Sequence, residues 1–265
     1  MNVGIIGARG FVGEHLINHM KSLGMVTKGY TRETLDLNDP SSLANLEDHD
    51  VVVNCVAQVA GLEDELFATN VQAVHSLCGE LNRRRNKPYL LHLSSGAVYG
   101  YADKAVVEMS MEAPVGAYAI TKFLGDEVMR LCYTGAWAVA RLYFPYGVGQ
   151  AENRLIPRLI KKVLTNQPIE ISRQVECPLI NPIHIDDLCE KLHSMARSKA
   201  TGVHLLGGGE VISIVDIAKM IGRISGVEVK FSEVDGPTSN MFCVGSGHIS
   251  LEQGLAPMIY LKRDW

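Results

Sequence analysis

The sequence predicts an α/β protein built on a doubly wound parallel sheet, with a smaller C-terminal substrate lobe interleaved with it. Three observations predict this: short apolar runs alternating with helical patterns, a glycine triplet directly after the first run, and a change of texture after Tyr146. Continuous apolar strands separated by helices mean a parallel sheet covered on both faces. A chain of 265 residues holds one large domain, or one domain with an appendage. The expected division assigns 1–145 and 174–205 to the sheet domain and 146–173 and 206–265 to the lobe.

"NVGIIG" at 2–7 is the first expected strand, followed by a helix from about Val12 to Leu23. "MVTKGYT" at 25–31 and "DVVVNC" at 50–55 are the second and third strands, with a helix near 64–84 after them. "YLLHLSS" at 89–95 is the fourth strand, 117–132 the next helix, and "AWAVARLY" at 136–143 the fifth strand. In the lobe, "ENRLIPRLIKKVLTNQPIEI" reads as helix then strand and "NPIHIDDLCEKLHSMAR" as strand then helix. "HLLGGGE" at 204–210 is a strand closed by a glycine turn, and Ser213 with Asp216 opens a further helix.

Composition narrows the function classes. At 47% hydrophobic and 20% charged the chain is ordinary globular material, and its net charge of −4 argues against nucleic acid or an anionic membrane as partner. The basic run Arg83-Arg84-Arg85-Asn86-Lys87 falls where a helix ends, so it complements the helix dipole. The six cysteines (55, 78, 132, 177, 189, 243) are scattered without a C-x-x-C pair, so neither a zinc site nor a disulfide framework is expected. His15 and His19 lie one turn apart but have no third ligand, and no metal is expected. No apolar run is long enough for a membrane span and no charged leader is seen; a cytoplasmic protein is expected.

The glycine triplet is "GIIGARGFVG", with Gly7, Gly10 and Gly13 enclosing Arg9, Phe11 and Val12. Such glycines permit a tight turn and close backbone approach to a diphosphate, while the helix N-terminus attracts its charge. The end of the second strand sets the choice of dinucleotide: an acid there suits the ribose hydroxyls of NAD, a cation the 2′-phosphate of NADP. Here "GYTRET" places Arg32 after Thr31, and Arg9 lies on the neighbouring loop. Two guanidiniums suit phosphate, so NADP(H) is expected over NAD(H).

"GAYAITK" at 116–122 puts Tyr118 four residues before Lys122, on one helix face. Taken alone, such a pair is as well read as a packed tyrosine and a lysine reaching to water. Ser95, however, ends the fourth strand and faces the crevice where ligands of such sheets bind, and the helix bearing the pair comes next. A lysine ammonium one turn away favours a tyrosine phenolate, which suits the phenol to proton transfer.

With these motifs in place the chain resembles an extended short-chain dehydrogenase/reductase of the NAD(P)-dependent epimerase/dehydratase group, over nearly its whole length. The resemblance rests on the triplet at 7–13, "LDLND" at 35–39, "DVVVNCVAQVAG" at 50–61, Asn70 in "TNVQAV", "SSGAVYG" at 94–100, Tyr118 with Lys122, "RLYFPYGVGQ" at 141–150 and "IHIDDL" at 183–188. It implies a Rossmann domain in which Tyr118 is the acid/base, Lys122 binds the nicotinamide ribose and Ser95 hydrogen-bonds the reacting oxygen. It also implies that Asp36 and Leu37 border the adenine, that Val56 and Ala57 line the cofactor, and that Tyr143 to Pro145 face the nicotinamide. Gly96, Ala97, Phe144, Arg154 and Arg158 are implied on the substrate side. Counting back from Tyr99-Gly100 favours Ser95 over Ser94.

Departures from the family pattern carry information. Relatives that eliminate water carry an Asp-Glu pair after this hydroxyl, where Gly96 and Ala97 stand. The stretch "GARGFVG" with "TRETLDLND" is similar to GDP-fucose synthase-like NADPH enzymes, yet their epimerising cysteine falls at Ala97 and their histidine near Arg154. The resemblance therefore implies a 4-ketoreductase of a nucleotide-activated deoxysugar. A 4-epimerase with tightly held cofactor is the alternative, and a non-catalytic NADP(H)-binding regulator the third. Ile180 replaces the arginine with which many relatives contact the diphosphate, leaving Arg154 and Arg158 for that task. A homodimer is expected, with Phe123 and Met129 as candidate contacts, because relatives often pair through this helix.

Overall fold

The structure, a computed structural model, describes residues 1–172, 178–235 and 240–262; Cys177 and the first residues of the expected 174–205 segment lie outside the described residues. Contacts divide the chain into two compact units. The first comprises Met1–Gly100, Glu108–Leu142 and Cys189–Leu205; the second comprises Tyr101–Val107, Tyr143–Leu188 and the chain from Leu206 onward. Residues 178–188, expected with the sheet, are grouped with the second unit.

In chain order the elements begin with β1 (Asn2–Ile6), α1 (Phe11–Ser22), β2 (Val26–Tyr30), β3 (Val51–Asn54), α2 (Glu63–Phe67), α3 (Ala73–Asn82), β4 (Tyr89–Ser95), α4 (Ala117–Cys132) and β5 (Trp137–Leu142). They continue with α5 (Leu155–Leu164), β6 (Ile169–Ser172), β7 (Leu179–Ile180), α6 (Ile185–Ser198), β8 (Gly202–Leu206), β9 (Ile212–Ser213), α7 (Ile214–Ser225), β10 (Phe231–Val234) and α8 (Leu251–Tyr260).

The first unit is built on the expected sheet. Its strand order is β2-β1-β3-β4-β5-β8, and the pairings from β2 to β5 are parallel. β3 and β4 are buried almost throughout, as strands covered on both faces must be, whereas edge strand β2 is largely exposed. The core between sheet and helices gathers Leu77 and Leu81 of α3, Met129 of α4 and Val52, Leu90 and Val139 of the strands.

The helix expected over 64–84 is interrupted by a π-helical turn at Ala68–Gln72. Its cause is tertiary. The Asn70 side chain turns inward, donates to the Gln58 carbonyl at 2.8 Å and to Thr121 Oγ1 at 3.0 Å, and accepts from Gln58 N at 3.0 Å. Gly125 makes room for this, since a Cβ there would lie 2.2 Å from the Asn70 carbonyl oxygen.

The second unit has its own core, formed by α5, α7 and α8 with β6. β6 pairs in parallel with β10, and β7 antiparallel with β9. α7 starts as its sequence indicates, with Ser213 Oγ accepting from Asp216 N at 3.0 Å, and it ends at left-handed Gly226.

Candidate active site

β2 lies on one side of β1 and β3 on the other, so the chain reverses its direction across the sheet at that point. Such a reversal opens a crevice beyond the carboxyl ends of the strands. Here it holds a cavity of about 280 Å³. Gly7, Arg9 and Gly10 line it after β1, Thr31, Arg32, Asp36 and Leu37 after β2, and Val56 and Ala57 after β3. Phe11, Val12 and Gly13 open α1 beside that wall. Asn38, Gln58 and Thr69 also line it; each lies within a quoted motif, but none is among the expected site residues.

Gly7 has φ +83°, a left-handed value that only glycine adopts cheaply, and a Cβ on Gly13 would sit 2.2 Å from the Gly7 carbonyl oxygen. The turn thus brings α1 as close to β1 as backbone permits. No side chain caps the helix at Gly10, so its first-turn amides are left for an anion.

Both arginines expected near a 2′-phosphate reach the cavity already paired. Arg9 Nη1 lies 2.5 Å from Glu33 Oε1, and Arg32 Nε 3.3 Å from Asp36 Oδ2. The other Asp36 oxygen accepts from Asn38 N at 2.9 Å.

Further along the sheet, Ser95 ends β4 and its hydroxyl accepts from Ala97 N at 3.2 Å, which shapes the single 3₁₀ turn Gly96–Tyr99. Lys122 Nζ donates to the Leu93 carbonyl at 2.9 Å, which pins α4 to β4 two residues before Ser95. Tyr118, half-buried, precedes Lys122 by one turn. Lys122 is 1% exposed; burial pushes its pKa down to about 8, against the pull of Asp126.

Behind Lys122 lies a polar cluster that the sequence reading missed. Arg141 Nε donates to Asp126 Oδ2 at 3.1 Å and Nη1 to Glu112 Oε1 at 2.8 Å, while its guanidinium lies 4.7 Å from the Tyr99 ring centroid. His92 bonds Asn54 through Nδ1 at 3.1 Å and turns Nε2 toward Asp126 Oδ1 at 3.8 Å. Burial, then the nearby Lys122 charge, holds His92 well below its ordinary pKa. Two signals could have revealed the cluster. Asp126 follows Lys122 at helical spacing, and Arg141 is a cation inside an apolar strand, where it needs a partner.

The remaining expected residues lie in the second unit. Tyr143 is buried, donates through its amide to the Leu206 carbonyl at 2.9 Å and accepts from Ile183 N at 3.3 Å. Phe144, next to Pro145, has φ +45°, a strained value of the kind that collects at working sites. Arg154 stands at the N-cap of α5, with Arg158 on its first turn, and both are exposed. Met129 is not the surface contact expected of it. It is fully buried, because α4 turns Ala119, Lys122, Asp126 and Met129 inward, and its exposed apolar residues are Ile120, Leu124 and Leu131.

Among the described residues no cluster of three metal-ligating side chains occurs, and no helix is long and apolar enough to cross a membrane. The chain is similar to a dTDP-4-keto-6-deoxy-D-glucose reductase of Streptomyces niveus, 23% identical over 84% of this chain and 78% of the relative. Its fold matches that of MoeE5 in complex with UDP-glucose and NAD, with a TM-score of 0.86 at 21% identity, covering 100% of this chain and 99% of the other. It likewise matches a dTDP-4-dehydrorhamnose reductase of Bacillus anthracis in complex with NADP, with a TM-score of 0.84 at 16% identity over 99% of each chain. The family model described as the NAD dependent epimerase/dehydratase family matches residues 3–214, four-fifths of the sequence, and the chain belongs to that family of NAD(P)-dependent enzymes.

Proposed function

We propose that the protein is an NADPH-dependent reductase that converts the 4-keto group of a nucleotide-activated deoxysugar to a hydroxyl. The observation that carries this reading is the end of β4: Ser95 is followed by Gly96 and Ala97, with the Lys122 ammonium anchored two residues earlier and Tyr118 one turn away. A hydroxyl, a phenol and a cation are enough to protonate an oxygen. No acid follows Ser95 to eliminate water, and neither a cysteine at Ala97 nor a histidine at Arg154 is present to epimerise.

The cavity fits a dinucleotide, since a glycine cradle that a Cβ would fill meets an uncapped helix start. The turn from Gly7 to Gly13 would hold the diphosphate, Arg9 and Arg32 the 2′-phosphate, and Asp36 and Leu37 the adenine edge. When bound, NADPH supplies the hydride that reduces the carbonyl carbon. Tyr118 hands its proton to the carbonyl oxygen as negative charge develops there, and Ser95 donates a hydrogen bond to the same oxygen. The Lys122 ammonium stabilises the phenolate left behind and binds the nicotinamide ribose. Arg154 and Arg158 take the substrate diphosphate, a role closed to Ile180, which is buried. The reductase relative supports a sugar-nucleotide ketone as substrate. The reading extends to a cytoplasmic homodimer that pairs through α4.

A second reading, a 4-epimerase holding NAD, is favoured by Glu33 and Asp36, acids that already meet both arginines. Absorbance of the reduced cofactor separates the two. Reduction of a 4-keto-6-deoxy nucleotide sugar consumes NADPH stoichiometrically, whereas an epimerase needs a trace. Tyr118→Phe is expected to lower turnover about 10²- to 10⁴-fold while sparing NADPH affinity; a fully active variant refutes the assignment. NADPH binding without turnover of any such ketone marks a regulator instead.

A further inference from the structure

Lysine and arginine are seldom withdrawn fully from water, because a buried cation needs a compensating charge. Lys122 is 1% exposed, Arg141 2%, and Asp126, the acid close to both, 3%. Asp126 follows Lys122 by one helical turn on α4, and its Oδ2 accepts from Arg141 Nε at 3.1 Å. Arg141 is held in turn by Glu112, which is about one-third exposed. Charges therefore alternate, from the Lys122 ammonium through Asp126 and Arg141 to Glu112 near the surface.

The other groups that face Lys122 are uncharged or kept so. His92 of β4 lies within the field of Lys122, Ser94 of β4 meets Asp126, and Tyr118 stands one turn earlier on α4. Among the described residues Asp126 is the acid whose field reaches the ammonium. Burial is the larger influence and raises the Asp126 carboxyl above its ordinary pKa, while the Lys122 and Arg141 charges pull it back down.

We propose that Asp126, clamped by Arg141, is a positioning residue that keeps the Lys122 ammonium charged and fixed one turn from Tyr118. The proposal rests on the reading of Tyr118 as proton donor. A carboxylate pinned by a buried guanidinium cannot swing, so the field on Lys122 is set before any ligand arrives. Without it, burial drives Lys122 toward the neutral amine, and the support of the Tyr118 phenolate is lost as pH rises.

The test reads Lys122 directly. Apoprotein labelled with ¹⁵N-lysine is titrated by NMR, with the Lys122 signal assigned by its loss in Lys122→Met. In Asp126→Asn the Lys122 midpoint is expected to fall by roughly one to three pH units. In the double variant Asp126→Leu/Arg141→Met, which replaces the ion pair by apolar groups and so stays folded if the single variant does not, it falls by less but in the same direction. Asp126→Glu restores the midpoint. With NADPH and substrate, the alkaline limb of the rate profile moves down with it. A midpoint unmoved in both variants, even with lowered thermal stability, shows a merely structural ion pair and overturns the proposal. The titration needs no substrate, so it fails or stands separately from the reductase reading.

Discussion

Two groups of arginines in the same unit share one chemistry and live in opposite solvents. Arg9 and Arg32 meet Glu33 and Asp36 at the cavity with arginine side chains 74% and 81% exposed, while Arg141 meets Asp126 at 2%. An exposed ion pair is worth about 0–1 kcal/mol, so Arg9 and Arg32 can exchange a carboxylate for a phosphate at little cost. Arg141 cannot let go, because a buried partner left alone costs about 3–5 kcal/mol. The difference teaches that an ion pair at similar distance is a loose ligand hook in one place and a fixed strut in the other, and that burial decides which.

That contrast breaks if stabilities do not follow it. Arg141→Met is expected to lower the unfolding free energy by about 3–5 kcal/mol, against about 1 kcal/mol or less for Arg9→Met, as read from urea midpoints and slopes. Equal losses in the two variants would refute it. Next in size, Gly13→Ala forces a Cβ to within 2.2 Å of the Gly7 carbonyl, a clash between backbones that cannot shift cheaply. Overpacking of this kind costs about 1–3 kcal/mol, and NADPH affinity measured by calorimetry should fall about tenfold or more. If affinity holds, the turn is not the diphosphate cradle. Smaller again, Arg32→Asp should raise the KM for NADPH about tenfold and lower that for NADH, reversing the preference, since one charged hydrogen bond is worth about 1.5–3 kcal/mol. An unchanged ratio would leave the 2′-phosphate without its expected partner.

The same contrast explains what could be read in advance. β3, β4 and β5 are mostly apolar runs, broken within β4 by His92 and within β5 by Arg141, and the need for glycine at positions 7 and 13 is local to the turn, so sheet and cradle are both written in short stretches. Tyr118 and Lys122 are legible as a pair because helical spacing alone places them on one face. The π turn at Ala68–Gln72 is not, because it depends on Asn70 finding Gln58 and Thr121, the second of them 51 residues away. Arg141 and Asp126 stand 15 residues apart on different elements, and a buried charge makes sense only once its partner is found in space. Met129 was misplaced for a related reason: a methionine suits either face of a helix, and packing against the sheet chose the inner one.

The smallest expected effect concerns pH and uses the neutral members of the buried region. His92 is held below its ordinary pKa by burial and by Lys122, and His49 and His193 are lowered too, burial again being the main cause. In the unfolded chain these imidazoles bind a proton near pH 6.5, whereas in the folded protein they resist it to lower pH. Between those values the unfolded state carries more protons, so stability is full above about pH 6.5 and falls as pH drops through the window. Carboxylates such as Glu47 and Asp39, whose folded pKa values are lowered, add their loss only further down, near the ordinary carboxylate range. Urea midpoints at pH 7.5 and pH 5.5 should therefore differ in the wild type, and the gap should narrow in His92→Gln, which keeps a polar group beside Asn54 but cannot take up a proton. An equal gap in the variant would mean that the Asp126 carboxylate, 3.8 Å from Nε2, already supports a charged imidazole, and His92 would join Arg141 as a strut.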